Sequence, residues 1–248
     1  MQKKQAYFRF YAELNDFLAD ERRHRTFTYS FSLQPAVKDA IEACGVPHSE
    51  VEVILANGNS VDFTYRLGDG DRLAVYPLFE SFDVSPLIRL RPKPLRKIKF
   101  IADENLGKLI RKLRMLGFDT ITAAGPDSAS LIQRAISEQR IILTRDRELL
   151  KNKQISHAYW VRSQDVRQQI REIYQRFDLA RLCKPFSRCM NCNALLKKAA
   201  KKEIIDLIPE RTTQQFGRFR QCPDCKKVYW PGSHFKKMEF LIESLRNE

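Results

Sequence analysis

Residues 97–146 constrain the fold of this chain more than any other stretch. Ile98-Lys99-Phe100-Ile101-Ala102-Asp103 opens it, and Ile141-Ile142-Leu143-Thr144-Arg145-Asp146 closes it. Each is a short β-prone apolar run that stops at an aspartate. Between them, Leu106, Leu109, Ile110, Leu113 and Leu116 repeat at i, i+3, i+4 and i+7, and Leu131, Ile132, Ala135 and Ile136 form a second helical stripe. Phe118-Asp119-Thr120-Ile121-Thr122, entered through Gly117, reads as a strand after a helix C-terminus. The order strand, helix, strand, helix, strand predicts an α/β unit with a parallel sheet covered by helices. Ligands of such sheets bind outside the carboxyl ends of the strands. Asp103 and Asp146 each follow a strand at that edge, and a carboxylate pair suits Mg²⁺ or Mn²⁺. A second reading stays open, because an aspartate after a strand also serves as a helix N-cap.

The charge pattern adds a partner class. The net charge of the 248 residues is +14, and it is unevenly placed. Residues 1–90 hold ten basic and thirteen acidic residues, hence −3; the remainder holds 34 and 17, hence +17. An excess of that size in one part of a chain is the footprint of a polyanion binder. A merely solvated surface would show a smaller, more even excess. No long uncharged apolar run suggests a membrane span, and the N-terminus leads into polar sequence rather than a signal peptide. A cytoplasmic protein without membrane association is expected.

Residues 1–84 read as a compact α+β domain. Ala6–Tyr11 and Thr26–Phe31 are aromatic, β-prone runs able to pair. A helix follows Pro35 with Val37, Ala40, Ile41 and Cys44 on one face, ending at Gly45. Val51–Leu55 meets the hairpin signal Asn57-Gly58, and Gly68-Asp69-Gly70-Asp71 turns the chain into Arg72–Pro77. Two hairpins around one helix resemble a ubiquitin-like β-grasp, and Val51–Pro77 looks like its small sulfur-carrier branch. Those carriers use a C-terminal Gly-Gly, which Leu78-Phe79-Glu80-Ser81 replaces here. The resemblance therefore implies shape, with a packing, substrate-recruiting or protein-binding role. Residues 85–97, with Pro86, Pro92, Pro94 and five basic residues, read as a semi-rigid linker. Beyond the central run, Ala158–Val161 suggests a fourth strand, and Val166, Ile170, Ile173, Tyr174 and Phe177 another helix.

Cys189-Met190-Asn191-Cys192 and Cys222-Pro223-Asp224-Cys225 are two C-x-x-C pairs. Two such knuckles complete a closed tetrahedral site, so Cys189, Cys192, Cys222 and Cys225 are expected to hold one structural Zn²⁺. Disulfides are the rival, disfavoured in a reducing compartment. The sequence between the pairs has room for a hairpin or an insert, with Leu195–Ala200 expected to be helical. His234 is an unnecessary further ligand, and Cys183 has no assigned role. This module is also basic and aromatic: Arg218 and Arg220 stand beside Phe219, near Tyr229 and Trp230. Cations bind phosphate and flat rings stack on bases, although packing of the ribbon alone also explains the rings.

Phe100–Asp103, Leu106-Gly107-Lys108-Leu109, Leu113–Thr120, Ile142–Asp146, the cysteine pairs and Val228–His234 together resemble the Mut-seven carboxy-terminal RNase domain. That domain joins a PIN-like nuclease fold to a zinc ribbon, and bacterial members often carry a β-grasp domain in front. The resemblance covers essentially the whole chain. It implies a β-grasp domain over 1–84, a PIN-like domain over 98–182 and a zinc-ribbon module over 183–248. It also implies a metal-dependent ribonuclease in which Asp103 and Asp146 match two acidic positions. Similar sequences carry an acid where this chain has Ser130, so Asp127 is the substitute candidate and Asp165 a reserve. Lys108, Arg111 and Lys112 on one helix face, with Arg145, are expected to guide RNA. The alternative is a non-catalytic RNA-binding protein with a degenerate PIN-like site.

Overall fold

The computed structural model describes residues 3–77, 98–123 and 128–246. Asp127 and the linker read over 85–97 lie outside the described residues. In chain order the first strands and helix are β1 (Lys4–Phe10), β2 (Phe27–Phe31), α1 (Val37–Ala43), β3 (Val51–Ala56), β4 (Asn59–Val61) and β5 (Arg72–Pro77). Next come β6 (Lys99–Ala102), α2 (Gly107–Met115), β7 (Asp119–Thr122), α3 (Ser128–Ser137), β8 (Ile141–Thr144), β9 (Ala158–Trp160) and α4 (Val166–Arg176). The last are β10 (Lys197–Ala199), α5 (Lys201–Ile204), α6 (Glu210–Gln215), β11 (Phe219–Gln221), β12 (Val228–Tyr229) and α7 (Ser233–Arg246). Two compact units emerge, one of residues 1–96 with 144–160, the other of residues 97–143 with 161–248.

In the first unit the sheet order is β2-β1-β5-β3-β4, with β1 and β5 parallel and the remaining pairs antiparallel. Alternation along β1 sends Ala6, Phe8 and Phe10 into the core, where Val37, Ala40 and Ile41 of α1 meet the sheet. Asn57 and Gly58 have φ of 52° and 85°, the left-handed pair that a tight β3–β4 hairpin requires. Buried Asp71 ties the second turn together by accepting bonds from Asn57 Nδ2, Tyr65 Oη and the Gly68 amide. This is the β-grasp arrangement expected from the sequence.

In the second unit β7, β6 and β8 run parallel in that order. Phe100 stands opposite Thr120 and Ile141, and Ala102 opposite Thr122 and Leu143. Phe100, Ile101 and Ala102 are all fully buried, as a sheet covered on both faces demands. Leu109, Ile110 and Leu113 of α2 and the flanking Leu106 and Leu116 are buried on one face. On α3, Leu131, Ile132 and Ala135 are buried, whereas Ile136, the next position round the helix, is 47% exposed. Phe100 meets Phe118 and Phe177 edge-on at 6.2 and 5.5 Å.

The ribbon sheet is antiparallel, ordered β10-β11-β12. One expectation is corrected here. Lys197–Ala199, inside the stretch expected to be helical, is a strand, with Lys198 opposite Arg220 and Ala199 opposite Phe219. Pairing with β11 overrides the local preference, and helix begins only at Lys201. Ile204, Phe219 and Val228 form the small core, with Phe216 and Trp230 packed against it. Among the described residues no helix is long and apolar enough to cross a membrane.

Candidate functional site

Two matching knuckles build the cysteine cluster. In each, the residue after the second cysteine is left-handed, Asn193 at φ 76° and Lys226 at φ 60°. The Asn193 amide returns to the Cys189 carbonyl, and the Lys226 amide to that of Cys222. The Cys189 amide bonds Ala194 O at 2.8 Å and the Cys222 amide bonds Lys227 O at 2.9 Å, so the two loops share one pattern. All four sulfurs lie within 4.8 Å of one another. Tetrahedral thiolate ligands at ~2.3 Å from zinc sit ~3.8 Å apart, so this set can bind a metal such as zinc. Backbone amides also turn towards the sulfurs, as at Cys225 N to Cys222 Sγ. The Tyr229 hydroxyl lies 3.1 Å from Cys189 Sγ. His234 is not among the convergent groups, and among the described residues these cysteines are the one such cluster.

Buried side chains bind this knuckle to the parallel sheet within the second unit. Arg114 of α2 donates from Nε to Thr120 O and from a terminal nitrogen to Asn191 O and Met190 O. Asn193 donates to Asp119 Oδ1 at 2.9 Å and accepts from the Thr120 amide at 3.1 Å. Asp119 also pairs with Arg140 at 2.7 Å and Arg188 at 3.6 Å. Burial works to raise its pKa, but the bonds from Arg140 and Asn193 and the nearby guanidiniums prevail and hold it below the usual range. Gly117 (φ 97°) closes the joint, since a Cβ there would strike the Lys184 carbonyl oxygen. Sequence reading missed Arg114, Asp119, Arg140, Arg188 and Asn193 as one network. The one available signal was an asparagine directly after a C-x-x-C pair, a residue that tolerates the left-handed turn.

Each candidate acid among the described residues has a local partner. Asp103, half-buried after β6, accepts the Asn105 amide at 3.0 Å and so caps the turn that leads into α2. Asp146, exposed after β8, accepts the Glu148 amide at 2.8 Å, and its own amide donates to Thr144 Oγ1. Asp165 caps α4 through the Arg167 and Gln168 amides. Ser130 is exposed in the first turn of α3. A carboxylate has about four lone-pair sites, so capping and metal ligation are chemically compatible.

The basic candidates fall into two surroundings. Lys108, Arg111 and Arg145 are exposed and Lys112 half-buried, with burial first and then Arg167 depressing the Lys112 pKa. Arg218 and Arg220 line a groove of about 780 Å³ with Arg188, Lys198, Trp230 and Phe235. A second groove of about 450 Å³ is lined by Arg111 and Lys227, and Tyr229, Trp230 and Phe235 contribute to both. The structure thus brings Arg111, Arg218 and Arg220 to grooves with shared aromatic walls.

A family model described as the Mut7-C RNAse domain matches residues 98–242. A second, described as Mut7-C ubiquitin, matches residues 3–83. No curated protein and no solved structure matches the chain.

Proposed function

This chain belongs to the Mut7-C RNAse domain family, and from that premise we propose that it is a metal-dependent ribonuclease of the cytoplasm. The observation that carries the reading is the pair of grooves where basic side chains meet shared aromatic walls, inside the segment the RNAse model matches. Lys198, Arg218 and Arg220 neutralise phosphates along one groove, and Arg111 does so in the other. Trp230 and Phe235 offer faces to bases. Asp103 and Asp146 are the carboxylates proposed to hold Mg²⁺ or Mn²⁺, with Asp127 as a third. When bound, such a cation lowers the pKa of a water and neutralises charge on phosphate oxygens. The local amide bonds to Asp103 and Asp146 hold their carboxyl groups steady. The cysteine cluster is assigned to structural zinc, because four thiolates leave no open position for substrate.

A second reading has its own support. Both acids accept a backbone amide two residues on, and Ser130 stands where the family resemblance implies an acid. On that reading the chain binds RNA without cutting it. Incubation of zinc-loaded full-length protein with end-labelled single-stranded RNA, with Mn²⁺ or with EDTA, decides between them. Mn²⁺-dependent fragments support the nuclease, and salt-sensitive binding without fragments supports the binder.

A further inference from the structure

The segment that carries Asp146 folds with the β-grasp domain. Three consecutive residues of one buried turn, His48, Ser49 and Glu50, each hold a different point on it. Ser49 Oγ donates to Leu150 O at 3.0 Å. His48 Nε2 donates to Ile155 O at 3.1 Å, while its Nδ1 faces Glu42 Oε1 at 2.5 Å. Glu50 Oε1 accepts the Trp160 amide at 2.8 Å. Arg147, next to Asp146, lays its guanidinium over Phe17 and Trp160 at 5.0 and 4.9 Å and donates to Phe17 O. Leu150 and Ile155 are buried in the same unit.

A carboxylate that ligates a cation needs its backbone held to within about half an ångström. Asp146 itself bonds to Thr144 and Glu148, both within its own segment, and the wider backbone of this segment is anchored by the β-grasp turn. We propose that the β-grasp domain acts in cis as the positioning element for Asp146, with His48 as its central positioning residue. This rests on the reading of Asp146 as a cation ligand. A face of the ubiquitin-like domain is thereby committed within the chain rather than presented to a separate protein.

The test uses two full-length variants that each keep half of the imidazole's bonding. In His48→Asn the amide nitrogen stands in for Nδ1 and keeps Glu42, but leaves the Ile155 carbonyl unpaired. In His48→Gln the nitrogen stands in for Nε2 and keeps Ile155. Hydrogen exchange of residues 146–160 and the Mn²⁺ concentration for half-maximal RNA cleavage are measured for both, with RNA affinity as control. Loss of one buried bond should raise exchange about tenfold in His48→Asn and move half-saturating Mn²⁺ upward by a similar factor. RNA affinity should hold in both variants, and His48→Gln should stay close to the unaltered protein. Equal exchange in the two variants would overturn the anchoring. Unequal exchange with an unmoved Mn²⁺ dependence would overturn the positioning of Asp146. If the unaltered protein cleaves nothing, the nuclease reading and the Asp146 role fall together, while unequal exchange would still support the anchoring.

Discussion

Asn193 Nδ2 donates to Asp119 Oδ1 at 2.9 Å across 74 residues of chain, joining the first cysteine knuckle to the second strand of the parallel sheet. The same asparagine accepts the Thr120 amide, so one side chain satisfies groups on both sides of the joint. Removing it strands a buried amide and takes one of three partners from a half-buried carboxylate. Asn193→Gly should cost about 2–3 kcal/mol on that account. Asn193→Ala should cost roughly 1 kcal/mol more, because alanine does not favour the left-handed φ of 76°. Urea unfolding of the two variants checks both numbers, and equal midpoints would remove the backbone part of the argument.

The joint makes the metal a matter for the sheet as well as the ribbon. Purified chain should carry one zinc. Cys222→Ser should lose it, with exchange protection falling in 183–235 and also at Asp119–Thr122. Protection retained at Asp119–Thr122 would show that the Arg114 and Asn193 contacts do not transmit the loss.

Acid should act on Asp119. Its folded pKa lies below the ordinary value, so its stabilising contribution is complete above about 3.9 and is lost as pH falls through the folded pKa. The difference in unfolding midpoint between the unaltered protein and Asp119→Asn should be largest near pH 6 and shrink below pH ~4. Because Asn193 couples the cysteine site to Asp119, the comparison is made over the pH range in which both proteins keep their zinc. A gap that widens on acidification would contradict this sign.

The acidic site has a separate test. Asp103→Asn should lower Mn²⁺-dependent cleavage by about a hundredfold or more, since even outer partners of metal ligands cost 10–100-fold. RNA binding should hold or tighten slightly, because a negative charge leaves a surface that faces phosphate. Asparagine caps a helix almost as well as aspartate, so a cap alone predicts little change. Ser130→Glu, at the first turn of α3, should tighten Mn²⁺ if an acid is wanted there.

Arg218→Ala and Arg220→Ala should weaken RNA binding across sequences and each lower the salt slope by about one. Titrations at several salt concentrations give both quantities. An unchanged slope in either variant would place the phosphate contacts elsewhere.

Much of this fold is legible in local sequence. Asn57-Gly58 marks a hairpin because few other pairs accept two positive φ values, and the i, i+3, i+4 leucines of α2 name its buried face. The C-x-x-C pairs name the four sulfurs that converge. What stayed hidden depends on partners distant in sequence. Lys197–Ala199 has no strand signal of its own and becomes one through β11. Arg114 looks like any helix arginine until Asn191 O lies 2.5 Å from it. The docking of 144–160 on the His48 turn leaves no periodicity to detect, because its bonds run between backbone groups and single side chains. The acids at the strand ends were legible as candidates, but a cap and a ligand share one sequence signature.

The discontinuous first unit has a consequence for synthesis on the ribosome. The His48–Glu50 turn is made long before Leu150, Ile155 and Trp160 exist. At ~5–20 residues per second, the roughly 64 residues after Arg96 take about 3–13 s to arrive. During that interval the nascent domain carries this turn without Leu150, Ile155 and Trp160 docked on it. Ribosome-stalled chains ending before and after Trp160 should therefore differ in protease sensitivity near residue 48. The shorter chain should be the more readily cut.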